Sequence, residues 1–144
     1  MSNKVNWFEI PAANMERAIK FYSEVFQQEM KVFEVDEQRT VALLPPGAGM
    51  AEDIEPFGTL LQMANFEPSD KGTIVYFDPV DNLDMALKRV ETAGGKVTFP
   101  KFRIGNGYLA TFMDSEGNTV GLLEWDKAYP FAETALSKNS PAGI

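Results

Sequence analysis

The sequence predicts an α+β fold made of two tandem βαβββ modules whose curved sheets form a cup. Three observations lead there: an internal repeat, two amphipathic helices with matching caps, and three extended segments after each helix. At a fixed offset of 68 residues, Phe8 to Lys20 and Tyr76 to Lys88 share Pro11/Pro79, Asn14/Asn82, Ala18/Ala86 and Lys20/Lys88. Phe8/Tyr76, Met15/Leu83, Glu16/Asp84 and Ile19/Leu87 are conservative pairs in the same register.

Each copy opens on a short apolar strand, Val5 to Ile10 and Thr73 to Phe77, and a proline then breaks it. Asn14 and Asn82 stand where a side-chain oxygen caps a helix, with Glu16 or Asp84 in the first turn, where the helix dipole favours negative charge. Met15, Ala18, Ile19, Tyr22 and Val25 recur at helical spacing, as do Leu83, Ala86, Leu87, Val90 and Ala93. Phe21 flanks that stripe beside Tyr22, and both read as packing. Gly94-Gly95 ends the second helix.

Three extended segments follow each helix: about 30–35, 39–44 and 59–64, then 96–100, 108–113 and 119–124. Ile104-Gly-Asn-Gly107 and Asp114-Ser-Glu-Gly117 supply turns. The expected organisation over 1–144 is a single domain, with module one at about 4–66, module two at about 72–125 and a C-terminal tail at 126–144. The long segment 45–57 has the length of a lid or binding loop, and Met50 and Phe57 are expected to close over the cup mouth. The tail's Tyr129-Pro-Phe131 is expected to pack on a sheet or a neighbouring chain.

The 144 residues are 44% hydrophobic and 24% charged, which suits a compact domain with a real core. A net charge of -8 repels phosphate backbones and anionic headgroups, so neither nucleic acid nor a membrane is an expected partner, whereas a cationic ligand is favoured. No run of eighteen apolar residues occurs, and Met-Ser-Asn-Lys leads into a strand-like segment, so a cytoplasmic location is expected. Cysteine and histidine are both absent. Thiolate chemistry and the commonest general base and transition-metal ligand go with them. The glycine pairs precede no phosphate-binding helix, and Asp114-Ser-Glu-Gly-Asn118 lacks the ordered spacing of a calcium loop, so it reads as a hairpin turn.

Three separated stretches carry a resemblance: W-F-E-I-P followed by F-Y-S-E-V-F, N-L-D-M-A followed by A-G-G-K-V, and M-D-S-E-G-N. Together they resemble the vicinal oxygen chelate superfamily, which includes glyoxalase I, bleomycin-resistance proteins, fosfomycin-resistance enzymes and extradiol dioxygenases, over roughly Lys4 to Trp125. The resemblance implies metal-ligand positions at Trp7, Val75 and Gly121, with a fourth near Leu61 or Gln62. Only Gln62 among these offers a donor side chain, so the usual metal centre is not expected, and no cofactor is assigned. The resemblance also implies a homodimer.

The expected function is that of a glyoxalase/bleomycin resistance-like protein without the usual metal ligands, which binds and sequesters a small cationic or aromatic compound. Its expected ligand-binding residues are Trp7, Glu9, Gln62, Tyr76, Tyr108 and Phe112, where rings offer a stacking surface for a cation. The alternative is a lyase, isomerase or dioxygenase-related enzyme with Glu9 as candidate catalytic residue. Glu9 would then either hold a weak divalent ion with Gln62 and water, or do acid–base work with a tyrosine as a carboxylate buried among aromatics. An interaction subunit with a filled cavity is a third possibility, and metal-dependent glyoxalase I activity is not expected.

Overall fold

The computed structural model describes residues 5–44 and 57–126. Met50 and the rest of segment 45–56 lie outside the described residues, as does the tail from 127. The element order is β1 (Phe8–Pro11), α1 (Met15–Phe26), β2 (Val32–Glu34), β3 (Thr40–Leu44), β4 (Gly58–Gln62), then β5 (Tyr76–Phe77), α2 (Leu83–Thr92), β6 (Lys96–Ile104), β7 (Gly107–Met113) and β8 (Thr119–Trp125). These are two βαβββ modules. Each forms a four-stranded mixed sheet, ordered β1-β4-β3-β2 and β5-β8-β7-β6, in which the first strand pairs parallel to the last.

Both helices begin as expected. The Asn14 side chain accepts from the Arg17 N–H at 3.0 Å, and Asn82 from the Met85 N–H at 2.9 Å. A second cap was not visible in the sequence: the Gln62 Oε1 accepts the Met15 N–H at 2.7 Å, and the Glu124 Oε1 accepts the Leu83 N–H at 2.6 Å. The last strand of each module thus satisfies an orphan donor at the start of its own module's helix.

The two glycines after α2 have different jobs. Gly94 sits at φ 102, the left-handed geometry that stops the helix. Gly95 is required by space, because a Cβ there would lie 2.7 Å from the Met113 carbonyl oxygen and 2.8 Å from the Phe21 ring. α1 ends on Gln27 at φ 56, exposed and left-handed. Gln27→Gly is therefore expected to raise stability by about 0.5–1 kcal/mol, read as an increase in Tm; a fall in Tm would show that the Gln27 amide's bond to the Glu24 carbonyl matters more than the backbone strain.

Several strand boundaries differ from expectation. β1 and β5 are shorter than their apolar runs, whereas β6 runs on through Pro100 to Ile104. β6 lies at the edge of its sheet, and its register shifts between Val97 and Phe99 and again between Phe99 and Phe102, so the proline's missing donor falls in an irregular stretch.

One hydrophobic core serves both modules. Phe21 and Tyr22 on α1 are both fully buried, and they reach across to module two. The Phe21 ring centroid lies 6.0 Å from that of Phe112, and Tyr22 and Phe26 lie 6.4 and 5.0 Å from Phe77. Arg89 on α2 adds a polar strap: it forks onto Asp81 at 2.9 Å and donates to the Val25 carbonyl at the end of α1. The Arg89 hydrogen bonds hold the Asp81 carboxyl down at about 2, so whatever Asp81 contributes is present above its ordinary range and fades as pH falls toward 2.

The Asp114–Asn118 turn between β7 and β8 is a hairpin turn, as expected, and it is also a clasp on module one. The Glu116 carboxylate accepts the Ala13 and Asn14 N–H groups at 2.9 and 2.8 Å and takes a two-pronged contact from Arg17. Asp114 accepts the Tyr22 hydroxyl at 2.6 Å, and the Asn118 amide donates to the Pro11 carbonyl at 2.9 Å.

Candidate functional site

Side-chain alternation sorts the candidate residues onto two faces. In β1, Phe8 packs on the core and Ile10 is part of it, so Glu9 points away from the helices. In β5, Phe77 packs on the core and Tyr76 faces the opposite way. Trp7, just before β1, is 45% exposed, Tyr76 is 39% exposed and Glu9 is exposed. These three are on accessible surface.

The other three lie on the helix side of their sheets, where Phe112 is buried, Tyr108 half-buried and Gln62 exposed at the end of its strand. Phe112 is 0% exposed against Phe21, between its sheet and α1, so it is a core residue and the expectation that it lines a cup is corrected. Tyr108 shares its face: it packs against the core, its hydroxyl accepts from Arg103 at 2.7 Å, and Lys101 sits 4.7 Å from its ring centre. Gln62 is on the helix side of β4, with its amide oxygen engaged by α1. Phe112 and Tyr108 are separated from Tyr76 by the thickness of their own sheet.

The implied metal positions also shift. Helices repeat at an offset of 68, but strands do not. Glu9 pairs with Thr59 and Ile10 with Leu60, while Tyr76 pairs with Gly121 and Phe77 with Leu122. Leu60 and Leu122 are equivalent buried residues, so Phe77 matches Ile10 and Tyr76 matches Glu9, an offset of 67. The extra residue lies in the turn before α2, where Val80 takes φ 78. Val75 therefore lies on the same side as Phe77, and the module-one counterpart of Gly121 is Thr59, not Leu61 or Gln62. The Tyr76 ring covers Gly121 so closely that no Cβ could be added without moving it.

Two depressions bear on these residues. A cleft of about 230 Å³ opens between β1, the 67–73 linker and the start of β8, with Glu9, Lys71, Thr73, Val75 and Thr119 in its wall. Its size is below the roughly 300–1,000 Å³ of drug-sized sites. A more open groove of about 630 Å³ lies by the start of α1, and its charged lining residues, Glu37, Glu67 and Glu116, are all acidic. Gln62 lies in this groove and Glu9 in the cleft, so the structure does not bring the two together as one coordinating pair.

The shifted carboxyl at the groove belongs to a structural pair. Burial works to raise the Glu116 carboxyl, but the Arg17 hydrogen bond, the Asn14 amide and the Ser115 hydroxyl together bring it below its ordinary value. Glu116 was missed as a key residue because its partners lie about a hundred positions away in the chain. Among the described residues, no three His, Cys, Asp or Glu side chains come together as a metal-ion cluster, and no helix is long and apolar enough to cross a membrane.

Comparison with known proteins agrees with this architecture. No curated protein sequence matches the chain significantly. Among solved structures, glyoxalase I from Leishmania major superimposes with a TM-score of 0.60 at 16% identity, covering 85% of this chain and 87% of its own. A glyoxalase/bleomycin resistance protein/dioxygenase family enzyme from Burkholderia phytofirmans PsJN gives 0.59 at 16% identity, covering 85% and 99%. TnmS3, an antibiotic binding protein from Streptomyces sp. CB03234, gives 0.56 at 20% identity, covering 86% and 97%. At these identities the likeness shows a shared fold. Residues 4–122 match the profile of the Glyoxalase/Bleomycin resistance protein/Dioxygenase superfamily, and the chain belongs to that superfamily.

Proposed function

We propose that this chain binds a small cationic, aromatic molecule on the sheet faces turned away from the helices, does so without a resident metal, and works as a homodimer. The observation that carries the reading is the exposure of Trp7, Glu9 and Tyr76 around positions where a metal-using relative would need donor atoms. An indole, an isopropyl side chain turned to the helix side and a glycine beneath a tyrosine ring do not fit a divalent ion, which needs at least three protein donors at fixed geometry. No catalytic step is routed through one. The excess of acidic residues supports attraction of a cation, and the antibiotic-binding role named for TnmS3 is consistent with such use of this fold.

The enzymatic reading of Glu9 lacks the burial it requires. Glu9 is exposed, and among the described residues no tyrosine hydroxyl bonds to it. The dimer is supported by exposed apolar side chains, including Phe33, Phe99, Phe102 and Trp125, each at 38% or more.

The chain has two tryptophans, so intrinsic fluorescence tests the reading. Titration with a cationic glycopeptide antibiotic or a cationic aromatic drug is expected to quench emission and release heat, with the response lost in Trp7→Ala. No heat with any such compound sinks the proposal. Sedimentation equilibrium is expected to return twice the chain mass, and added Zn²⁺, Ni²⁺ or Mg²⁺ is expected to leave Tm unchanged.

A further inference from the structure

Thr59 is the one side chain that the described structure leaves unsatisfied in its interior. Its residue is 4% exposed, and its Oγ1 has no hydrogen-bond partner. A buried hydroxyl without a partner is costly, and native proteins seldom tolerate one without a reason. Here the surroundings suggest what the partner is. Thr59 lies directly beside Glu9 in the parallel β1–β4 ladder, so the two side chains stand on the same face, away from the helices. The Glu9 carboxylate makes no hydrogen bond or ion pair among the described residues. Arg39, whose charge is favoured first by the hydrogen bond and charge of Asp36 and in smaller part by Glu9, is committed to Asp36 at 2.6 Å.

The carboxylate only accepts, whereas the hydroxyl both accepts and donates, so a cationic N–H donor set between them is accepted by both. Two residues before Glu9 and Thr59 along the same two chain segments stand Trp7 and Phe57, 45% and 50% exposed. A two-residue step along extended chain is about 6.6 Å.

We propose that Glu9 and the Thr59 hydroxyl together hold the ammonium of an arylalkylamine whose ring rests against Trp7 and Phe57, so that the site measures the separation between ring and nitrogen. This rests on the binding reading above and gives it a ligand class. Thr59 becomes a specificity residue at a position where the sequence alone suggested Leu61 or Gln62. A chain of three methylenes between ring and nitrogen suits the spacing, and one methylene is too short.

The probes are 3-phenylpropylamine, benzylamine and the neutral 3-phenylpropan-1-ol, titrated by calorimetry against the full chain, Glu9→Gln and Thr59→Val. The long amine is expected to bind about tenfold tighter than the alcohol, the size of one hydrogen bond to a charged group. It is also expected to outbind benzylamine, and to lose about tenfold in either variant while the alcohol changes little. In the absence of probe, Thr59→Val is expected to keep or raise Tm, because the hydroxyl it removes has nothing to bond. Equal affinity for amine and alcohol, or unchanged amine affinity in Thr59→Val, overturns the amine assignment while leaving the binding face intact. A lower Tm for Thr59→Val overturns it too, since the hydroxyl would then have a partner in the free protein. If none of the three probes and no drug binds, the binding face and the assignment fall together.

Discussion

Asp114→Ala is expected to lower the free energy of unfolding by about 3–5 kcal/mol, seen as a reduced denaturant midpoint at an unchanged m-value. The carboxylate is 4% exposed and accepts four bonds: the Tyr22 hydroxyl at 2.6 Å, the Asn118 amide at 3.0 Å, and the Glu116 and Asn118 N–H groups, both at 2.8 Å. Alanine removes the acceptor and strands every donor, including a fully buried phenol. Tyr22→Phe removes one donor and leaves the turn intact, so its cost is expected to be about 1–2 kcal/mol. The pair must then be non-additive, because Asp114→Ala has already deprived Tyr22 of its partner. Equal losses in the two single variants would mean that the turn does not depend on the carboxylate.

The same contact gives an alkaline signature. Burial raises the Tyr22 phenol well above its ordinary value, and the charge and hydrogen bond of Asp114 raise it further. A raised folded-state value means that this contribution is whole below the unfolded value of about 10 and is lost as pH climbs past it. Tyr22→Phe is therefore expected to flatten the alkaline limb of the stability profile; an unchanged limb would place the sensitivity elsewhere.

How far the sequence reveals this arrangement depends on the range of the interaction. Asn14 and Asn82 were legible as caps because a cap acts over three residues, and the two helices were legible because packing imposes a 3.6-residue period. The contacts of Glu116 with Ala13, Asn14 and Arg17, and of Tyr22 with Asp114, cross about 90 to 100 residues, so the motif read as a turn gave no sign of its grip on module one. The most instructive failure is the strand register in module two. A period of two makes a strand sensitive to a single inserted residue, and the turn containing Val80 adds one, so a repeat that aligns perfectly on its helices puts Val75 on the wrong face. Tyr108 and Phe112 failed for a related reason: aromatic content alone does not tell the face that packs on helices from the one that does not. Glu9, two residues upstream of Pro11, alternates with Phe8 and Ile10 of the core side and lies on the face turned away from the helices.

That distinction between faces predicts opposite phenotypes for two rings of the same sheet. Phe112→Ala is expected to cost about 3–5 kcal/mol, because the ring is fully buried against Phe21 and the core cannot collapse into the space it leaves. The milder Phe112→Leu, at about 1–1.5 kcal/mol, keeps the protein folded for binding measurements and is expected to leave the affinity for a cationic aromatic probe unchanged. Tyr76→Ala should do the reverse. Its ring is 39% exposed and lies over Gly121, so its loss is expected to cost about 1 kcal/mol or less in stability while weakening the same probe several-fold. Paired titrations and melting curves separate the cases: if Phe112→Leu weakens binding with little loss of stability, the open and packed faces of this sheet have been assigned the wrong way round, and the role given to Tyr76 fails with them.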